Sequence, residues 1–231
     1  MERQPPSNAG KPGATGRLVL VIGNRNYSSW SLRPWLALAM TGEPFETVRI
    51  PLHQPDSQAL IRHYSAAGKV PVLVDGARIV WDSLAICEYL AERFPAALLW
   101  PAEAAVRTQA RSASCEMHSG FTALRRDLPM NIRFDRGGHR WSPDAQADID
   151  RVLELWSGLR ACNSGLGPFL FGRFSIADAM YAPVVLRLRS YQVPVPEDAA
   201  TYMRSVLELP PMQQWITAAL AEAERIDTFE R

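Results

Sequence analysis

The segment at residues 68–90, GKVPVLVDGARIVWDSLAICEYL, constrains the fold of this chain most strongly. Val70-Pro71-Val72 begins an apolar run that predicts a strand, and the dipeptide Asp75-Gly76 is a favoured hairpin turn. Asp82-Ser83 then precedes a helical pattern of apolar residues. Strand, hairpin and helix in so short a segment predict the edge of a small α/β unit.

The same segment predicts a binding site for a small acidic peptide. Pro71 cannot donate a ladder hydrogen bond, so we expect the strand that it begins to offer an unpaired edge. An extended, peptide-like ligand can pair with such an edge. The helix N-terminus at Ser83 offers free N–H groups and the positive end of a dipole, which suit a carboxylate.

The residues around this segment extend the prediction to a whole α/β unit. We expect strands at 17–23, 45–52, 70–74 and 78–81, helices at 31–42 and 83–94, and a polar loop over HQPDSQ at 53–58. The order strand, helix, strand, hairpin, helix is the thioredoxin-like pattern.

The remainder of the chain predicts an all-helical unit. A linker is expected at 95–103, followed by helices at 103–127, 143–163, 198–208 and 210–224. Between them, Ser175 and Asp178 have the spacing of a capping box at a further helix start. We therefore expect a flexible tail at 1–16, an α/β domain at 17–94, the linker, and a helical domain at 104–231.

Composition narrows the possible partners. The formal net charge of +1 gives no reason to expect nucleic acid or an anionic membrane as a partner. The three cysteines are scattered without zinc or CxxC spacing, so we predict no metal site and a reducing, cytoplasmic location. The tail at 1–16 lacks the apolar core of a signal peptide, and no run is long enough for a membrane helix.

Three segments, in order, resemble the cytosolic glutathione S-transferases. Residues 18–40 resemble the first strand, active-site loop and first helix of that family, residues 68–90 its glutathione-binding half, and residues 171–185 its Ser-Ile-Ala-Asp helix start. The resemblance implies a thioredoxin-like N-terminal domain, an all-α C-terminal domain and a homodimer. It also implies a detoxifying transferase that uses glutathione as co-substrate and attacks a small hydrophobic electrophile.

The loop before the first helix is the expected catalytic element. A hydroxyl at a helix N-terminus can donate to a thiolate and so lower the pKa of the thiol. SSWSLR resembles the Ser-Ser-Cys-Ser-x-Arg loop of zeta-class enzymes, which implies Ser28 as this hydroxyl, with Ser29 as a second candidate. Tyr27 is a rival, and either serine could simply cap the helix. Trp30 stands where the zeta loop has its cysteine, which weakens an isomerase assignment.

The resemblance also implies a set of glutathione-binding residues. Val70 would bond the cysteinyl backbone beside a cis Pro71, while Asp82 and Ser83 would hold the γ-glutamyl group. The candidates for the glycyl carboxylate or a general positive field are Arg33, His53 and Lys69.

Several alternatives remain open from the sequence. A glutathione-dependent isomerase of the maleylacetoacetate type and a non-enzymatic binding or scaffold protein are the other functions considered. The arginines at 125, 126, 133 and 136 are either a solvated face or a pocket for an acidic electrophile. Met117, Phe121 and Leu124 either wall an apolar acceptor site or pack in the core.

Overall fold

A four-stranded mixed sheet forms the first half of the chain. The computed structural model describes residues 17–135 and 137–230, so the predicted tail at 1–16 lies outside the described residues. The strands are β1 (Leu18–Ile22), β2 (Phe45–Arg49), β3 (Val72–Asp75) and β4 (Arg78–Trp81). Their order is β2-β1-β3-β4, with β1 parallel to β2 and antiparallel to β3.

The position of β3 corrects one expectation. β3 pairs with β1 on one side and β4 on the other, so it is an inner strand and not an edge. The ladder begins at Val72, and Val70 and Pro71 therefore lie just before the first paired residue. The Val70-Pro71 backbone therefore lies at the end of a strand and not along an unpaired edge of the sheet.

Three helices cover the sheet, and one of them was missed. Helices α1 (Ser29–Ala39) and α3 (Ser83–Arg93) share a core with Leu20 and Ile22, whereas Val21 packs in the separate core on the side of α2 (Ser57–Tyr64). This alternation explains why β1 reads as a continuous apolar run. The loop predicted at 53–58 is wrong at its end, because α2 begins at Ser57.

The second half of the chain is helical, as predicted. Its α-helices are α4 (Ala104–Ser119), α5 (Thr122–Asp127), α6 (Pro143–Cys162), α7 (Ile176–Ser190), α8 (Glu197–Leu207) and α9 (Pro210–Leu220). Nearly every residue of α7 is buried, and α7 packs against both α1 and α4, which joins the two halves through one core. The thioredoxin-like and all-helical fold class is confirmed, while the domain limits at 94 and 104 stay a prediction.

The single helix predicted at 103–127 is broken in two. Gly120 is extended and Phe121 follows with φ +54°, after which α5 begins at Thr122. A Cβ on Gly120 would lie 2.7 Å from the carbonyl oxygen of Glu116, so glycine permits this break. Asp148 accepts a 2.9 Å hydrogen bond from the amide of Leu124 and holds the new direction. After the break, α5 packs against α6.

The capping box at the start of α7 is confirmed. The buried carboxylate of Asp178 accepts hydrogen bonds from the Ser175 amide at 2.8 Å and the Ser175 hydroxyl at 3.0 Å. It also accepts one from the Leu170 amide at 3.1 Å, so it ties the preceding loop to the helix.

Within residues 17–135 and 137–230, no helix combines the length and hydrophobicity that crossing a bilayer requires.

Candidate functional site

A cavity of about 950 Å³ lies where β3 begins and where α1, α2 and α3 start. It is lined by the loop before α1, by residues around the start of α2, by the loop at 67–71 and by residues 81–83. Ser28 caps α1, Ser57 is the first residue of α2 and Ser83 is the first residue of α3. Three helix N-termini therefore direct positive potential toward one cavity, which suits an anionic ligand.

Ser28 both caps α1 and faces the cavity. Its hydroxyl donates a 2.7 Å hydrogen bond to Ser31 Oγ, which also accepts one from the Gly23 amide at 3.1 Å. The Ser31 amide in turn donates to Ser28 Oγ at 3.4 Å. Ser28 therefore caps the helix and lines the cavity at the same time, and its catalytic role stays a prediction.

The other two candidate hydroxyls point elsewhere. Ser29 is buried between the halves of the chain, where its Oγ accepts a 3.2 Å hydrogen bond from Arg187. The Tyr27 hydroxyl bonds Glu230 and accepts a 2.6 Å hydrogen bond from Arg133. Burial is the main cause that raises the pKa of Tyr27. Of the three hydroxyls, Ser28 is the one that lines the cavity.

A contact that the sequence does not indicate positions this loop. The buried carboxylate of Glu222, just after α9, accepts hydrogen bonds from the amides of Arg25 at 2.8 Å and Asn26 at 3.2 Å. Asn26 also donates to Asn131 Oδ1 at 2.8 Å. The segment before Ser28 is therefore fixed by residues about 100 and 200 positions away in the chain.

Ser83 is the most informative polar group in the cavity. Its side chain is 1% exposed, and its Oγ has no hydrogen-bond partner among the residues that the structure describes. A buried hydroxyl normally has a partner, so the orphaned one of Ser83 marks this residue as a candidate for contact with a ligand in the cavity. Its neighbour Asp82 caps α3 by accepting from the amides of Leu84 and Ala85, at φ +73°. The second oxygen of Asp82 lies 3.2 Å from His118 Nε2.

The loop before β3 supplies the backbone side of the cavity. The Val70-Pro71 peptide bond is cis, as predicted, and both residues line the cavity together with Lys69 and His53. Gln58 on α2 donates a 3.1 Å hydrogen bond to the carbonyl oxygen of Gly68 and supports this loop. Helix α2 also contributes Ser57 and Ile61 to the lining, and neither was among the predicted site residues.

Arg33, like Ser29, is a predicted site residue that the structure does not place on the cavity wall. Its side chain is 1% exposed and its guanidinium carbon lies 4.3 Å from the centre of the Trp30 ring. Burial, with the nearby charges of Arg125 and Arg187, lowers the pKa of Arg33 to about 9. Met117, Phe121 and Leu124 are likewise buried in the core and do not line the cavity.

Comparison with known proteins agrees with this fold. Residues 27–93 match the N-terminal domain of glutathione S-transferase, and residues 117–218 match its C-terminal domain. A maleylacetoacetate isomerase of Rattus norvegicus is 31% identical over 183 residues, covering 77% of this chain and 81% of that protein. A probable maleylacetoacetate isomerase of Caenorhabditis elegans is 32% identical over 100 residues, which span only 43% of this chain and 46% of that protein.

A solved structure has the same fold along most of the chain. A glutathione transferase homologue from Burkholderia, crystallised with bound glutathione, superposes with a TM-score of 0.68 and 25% identity. The match covers 89% of this chain and 100% of that one.

Proposed function

This chain belongs to the glutathione S-transferase family, as its sequence predicted, and we propose that it joins the thiol of glutathione to a small electrophile. The observation that carries the proposal is Ser83, which lines the cavity and whose buried hydroxyl has no hydrogen-bond partner among residues 17–135 and 137–230. We assign to it, together with the N-terminus of α3, the γ-glutamyl carboxylate of glutathione.

The remaining cavity residues fit the rest of glutathione. Val70, beside the cis Pro71, presents its backbone to the cysteinyl unit, which is an amide that can pair with it. Lys69 supplies positive charge, and His53 a ring nitrogen, for the glycyl carboxylate. The carboxylate of Asp82 already caps α3 and contacts His118. We therefore propose that Asp82 holds Ser83 in position and does not contact the ligand directly.

Ser28 is the proposed catalytic residue. A free thiol has a pKa of about 8.5, so it is largely protonated at neutral pH. A hydroxyl donor at the N-terminus of α1 stabilises the thiolate and increases its share. Ser28 can turn its hydrogen from Ser31 toward the sulfur, because the Ser31 hydroxyl can then donate to Ser28 in return. In the transfer step a sulfur–carbon bond forms at the electrophile, and the leaving group departs with the electron pair of the broken bond.

The test of this function is conjugation of glutathione to 1-chloro-2,4-dinitrobenzene. We expect the enzyme to form the S-aryl conjugate and to consume one glutathione for each chloride released. A protein that binds glutathione and forms no conjugate with any of a series of aryl halides, epoxides and enones would contradict the transferase assignment.

Isomerisation is the second candidate, because maleylacetoacetate isomerases are among the similar proteins. Glutathione would then act as a cofactor that is released unchanged. Turnover of maleylacetone to its trans isomer without loss of glutathione would identify this reaction. Trp30, in place of the cysteine of the zeta loop, favours the transferase reading.

Two further assignments follow from the family. We propose a homodimer, which sedimentation equilibrium would report as twice the chain mass. We also propose a cytoplasmic location, where Cys87, Cys115 and Cys162 remain as thiols.

A further inference from the structure

His53, which lines the cavity, has a backbone conformation that is uncommon outside glycine. Its φ is +60°, and a residue in this region is kept there by its surroundings. On one side, the Leu52 amide donates a 2.7 Å hydrogen bond to Asn24 Oδ1. On the other side, the Gln54 amide donates one of 2.7 Å to Ser57 Oγ. These bonds fix the backbone of His53, whereas its ring can still rotate about the side-chain bonds.

The ring of His53 meets an aromatic ring from the end of the chain. Phe229 lies in the C-terminal segment, residues 221–230, which follows α9. The two ring centres are 6.2 Å apart and the planes are nearly perpendicular, at 86°. The Phe229 ring also packs against that of Tyr27 at 5.7 Å. Phe229 therefore contacts both a residue of the cavity wall and the residue that precedes Ser28.

Hydrogen bonds anchor the C-terminal segment to the loop before α1. The Tyr27 hydroxyl bonds the carboxylate of Glu230 and accepts a 2.6 Å hydrogen bond from Arg133. The guanidinium of Arg133 also lies 3.7 Å from the Glu230 carboxylate. Asn131 donates a 3.0 Å hydrogen bond to the carbonyl oxygen of Phe229 itself. Because Tyr27 is buried, the bonds at its hydroxyl are shielded from water and hold the segment in place.

The nitrogens of the His53 ring are not committed to another group. Within residues 17–135 and 137–230, this ring makes no hydrogen bond and no ion pair, and its aromatic contact with Phe229 uses neither. A ring that is already held loses less conformational freedom when a ligand binds than a ring that rotates freely. The contact with Phe229 therefore prepares His53 for a ligand in the cavity.

We propose that Phe229 is a positioning residue for glutathione, because the C-terminal segment holds its ring against His53 and so directs a His53 nitrogen to the glycyl carboxylate. This inference rests on the proposed function and adds to it a residue that lies outside the cavity wall. Phe229 acts through His53 and does not contact the ligand.

Binding of a matched ligand pair tests this role without turnover. The pair is glutathione and its monoethyl ester at the glycyl carboxyl, which keeps the γ-glutamyl carboxylate and the thiol. Calorimetry should show the wild type binding glutathione about tenfold tighter than the ester. Phe229→Ala should bind glutathione about fivefold more weakly than the wild type and the ester equally well, because only the glycyl carboxylate depends on His53. Phe229→Tyr keeps the ring and should retain the wild-type preference.

A double-mutant cycle separates positioning from a general structural effect. His53→Ala should lose at least as much glutathione affinity as Phe229→Ala. The double variant should lose no more than His53→Ala alone, because Phe229 acts through the histidine ring. Thr228→Ala removes an exposed neighbour of Phe229 and should leave both ligand affinities unchanged.

Three outcomes would overturn the positioning role alone. They are equal weakening of both ligands in Phe229→Ala, unchanged binding of both in that variant, and additive losses in the double variant. Equal affinity of the wild type for glutathione and the ester would likewise remove the role of His53 at the glycyl carboxylate, and with it that of Phe229. Absence of glutathione binding by the wild type would instead overturn the proposed function.

Discussion

Replacing Ser28 with alanine is expected to lower kcat/KM for conjugation of glutathione about 100-fold, the effect typical of losing one preorganised donor at a developing or stabilised charge. The Ser28 hydroxyl is the one of the three candidates that reaches the cavity. Its loss should also raise the pKa of the bound thiol toward the value of about 8.5 for a free thiol. Stopped-flow rates and the ultraviolet absorbance of the thiolate, both followed against pH, measure the two effects.

The neighbouring serine is the matched control. Ser29 lies one residue further along, is equally buried and bonds Arg187 instead of facing the cavity. Ser29→Ala should therefore leave the pKa of the bound thiol unchanged. Ser28→Thr keeps a hydroxyl and a helix cap, so it should recover part of the lost rate. If the pKa of the bound thiol were the same in Ser28→Ala as in the wild type and were raised in Ser29→Ala, the assignment would be reversed.

Asp178→Ala is expected to lower the free energy of unfolding by about 3 kcal/mol or more, because it leaves three buried donors without an acceptor. These donors are the amides of Leu170 and Ser175 and the hydroxyl of Ser175. Urea unfolding monitored by circular dichroism measures the loss. Glu103→Ala removes an exposed cap at α4 and should cost clearly less. An equal cost for the two variants would show that burial of the capping box contributes nothing.

The same carboxyl predicts a pH dependence. Burial raises the pKa of Asp178 to about 6 in the folded protein, against an ordinary value of 3.8. The folded state therefore holds the proton more tightly than the unfolded chain between these values. The contribution of Asp178 to the free energy of unfolding is greatest at low pH, declines as pH rises from about 4 to about 6, and is constant above. In Asp178→Asn this part of the pH dependence should be absent.

Most of the fold could be predicted from residue patterns within short segments of the sequence. The hairpin at Asp75-Gly76 and the capping box at Ser175 are specified by residues within a few positions of one another, and both were predicted from the sequence. The break at Gly120 was missed because the apolar spacing continues across it. Its cause is the packing of α5 on α6, together with the Asp148 side chain 24 residues away from Leu124. Such a contact has no local sequence signal.

The candidate site likewise has residues that local motifs predicted and features that they did not. Ser28, Val70, Pro71 and Ser83 were placed on the cavity by motifs that fix helix starts and a strand start. Helix α2 was missed, although Asp56-Ser57 and the apolar Ile61 were available as a start and a buried anchor. The burial of Arg33 beneath Trp30 depends on the helical half closing over it, so its exclusion from the cavity wall could not be predicted from its own segment.

Calorimetric titration of glutathione at neutral pH, into the wild-type protein and into Ser83→Ala, tests the central claim most directly. The account predicts micromolar-to-millimolar binding by the wild type and at least about tenfold weaker binding by the variant, because the γ-glutamyl carboxylate would lose the hydroxyl that donates to it. Unchanged affinity in Ser83→Ala would contradict the assigned carboxylate site. No binding by the wild type would contradict the transferase function itself and favour a scaffold role for this fold.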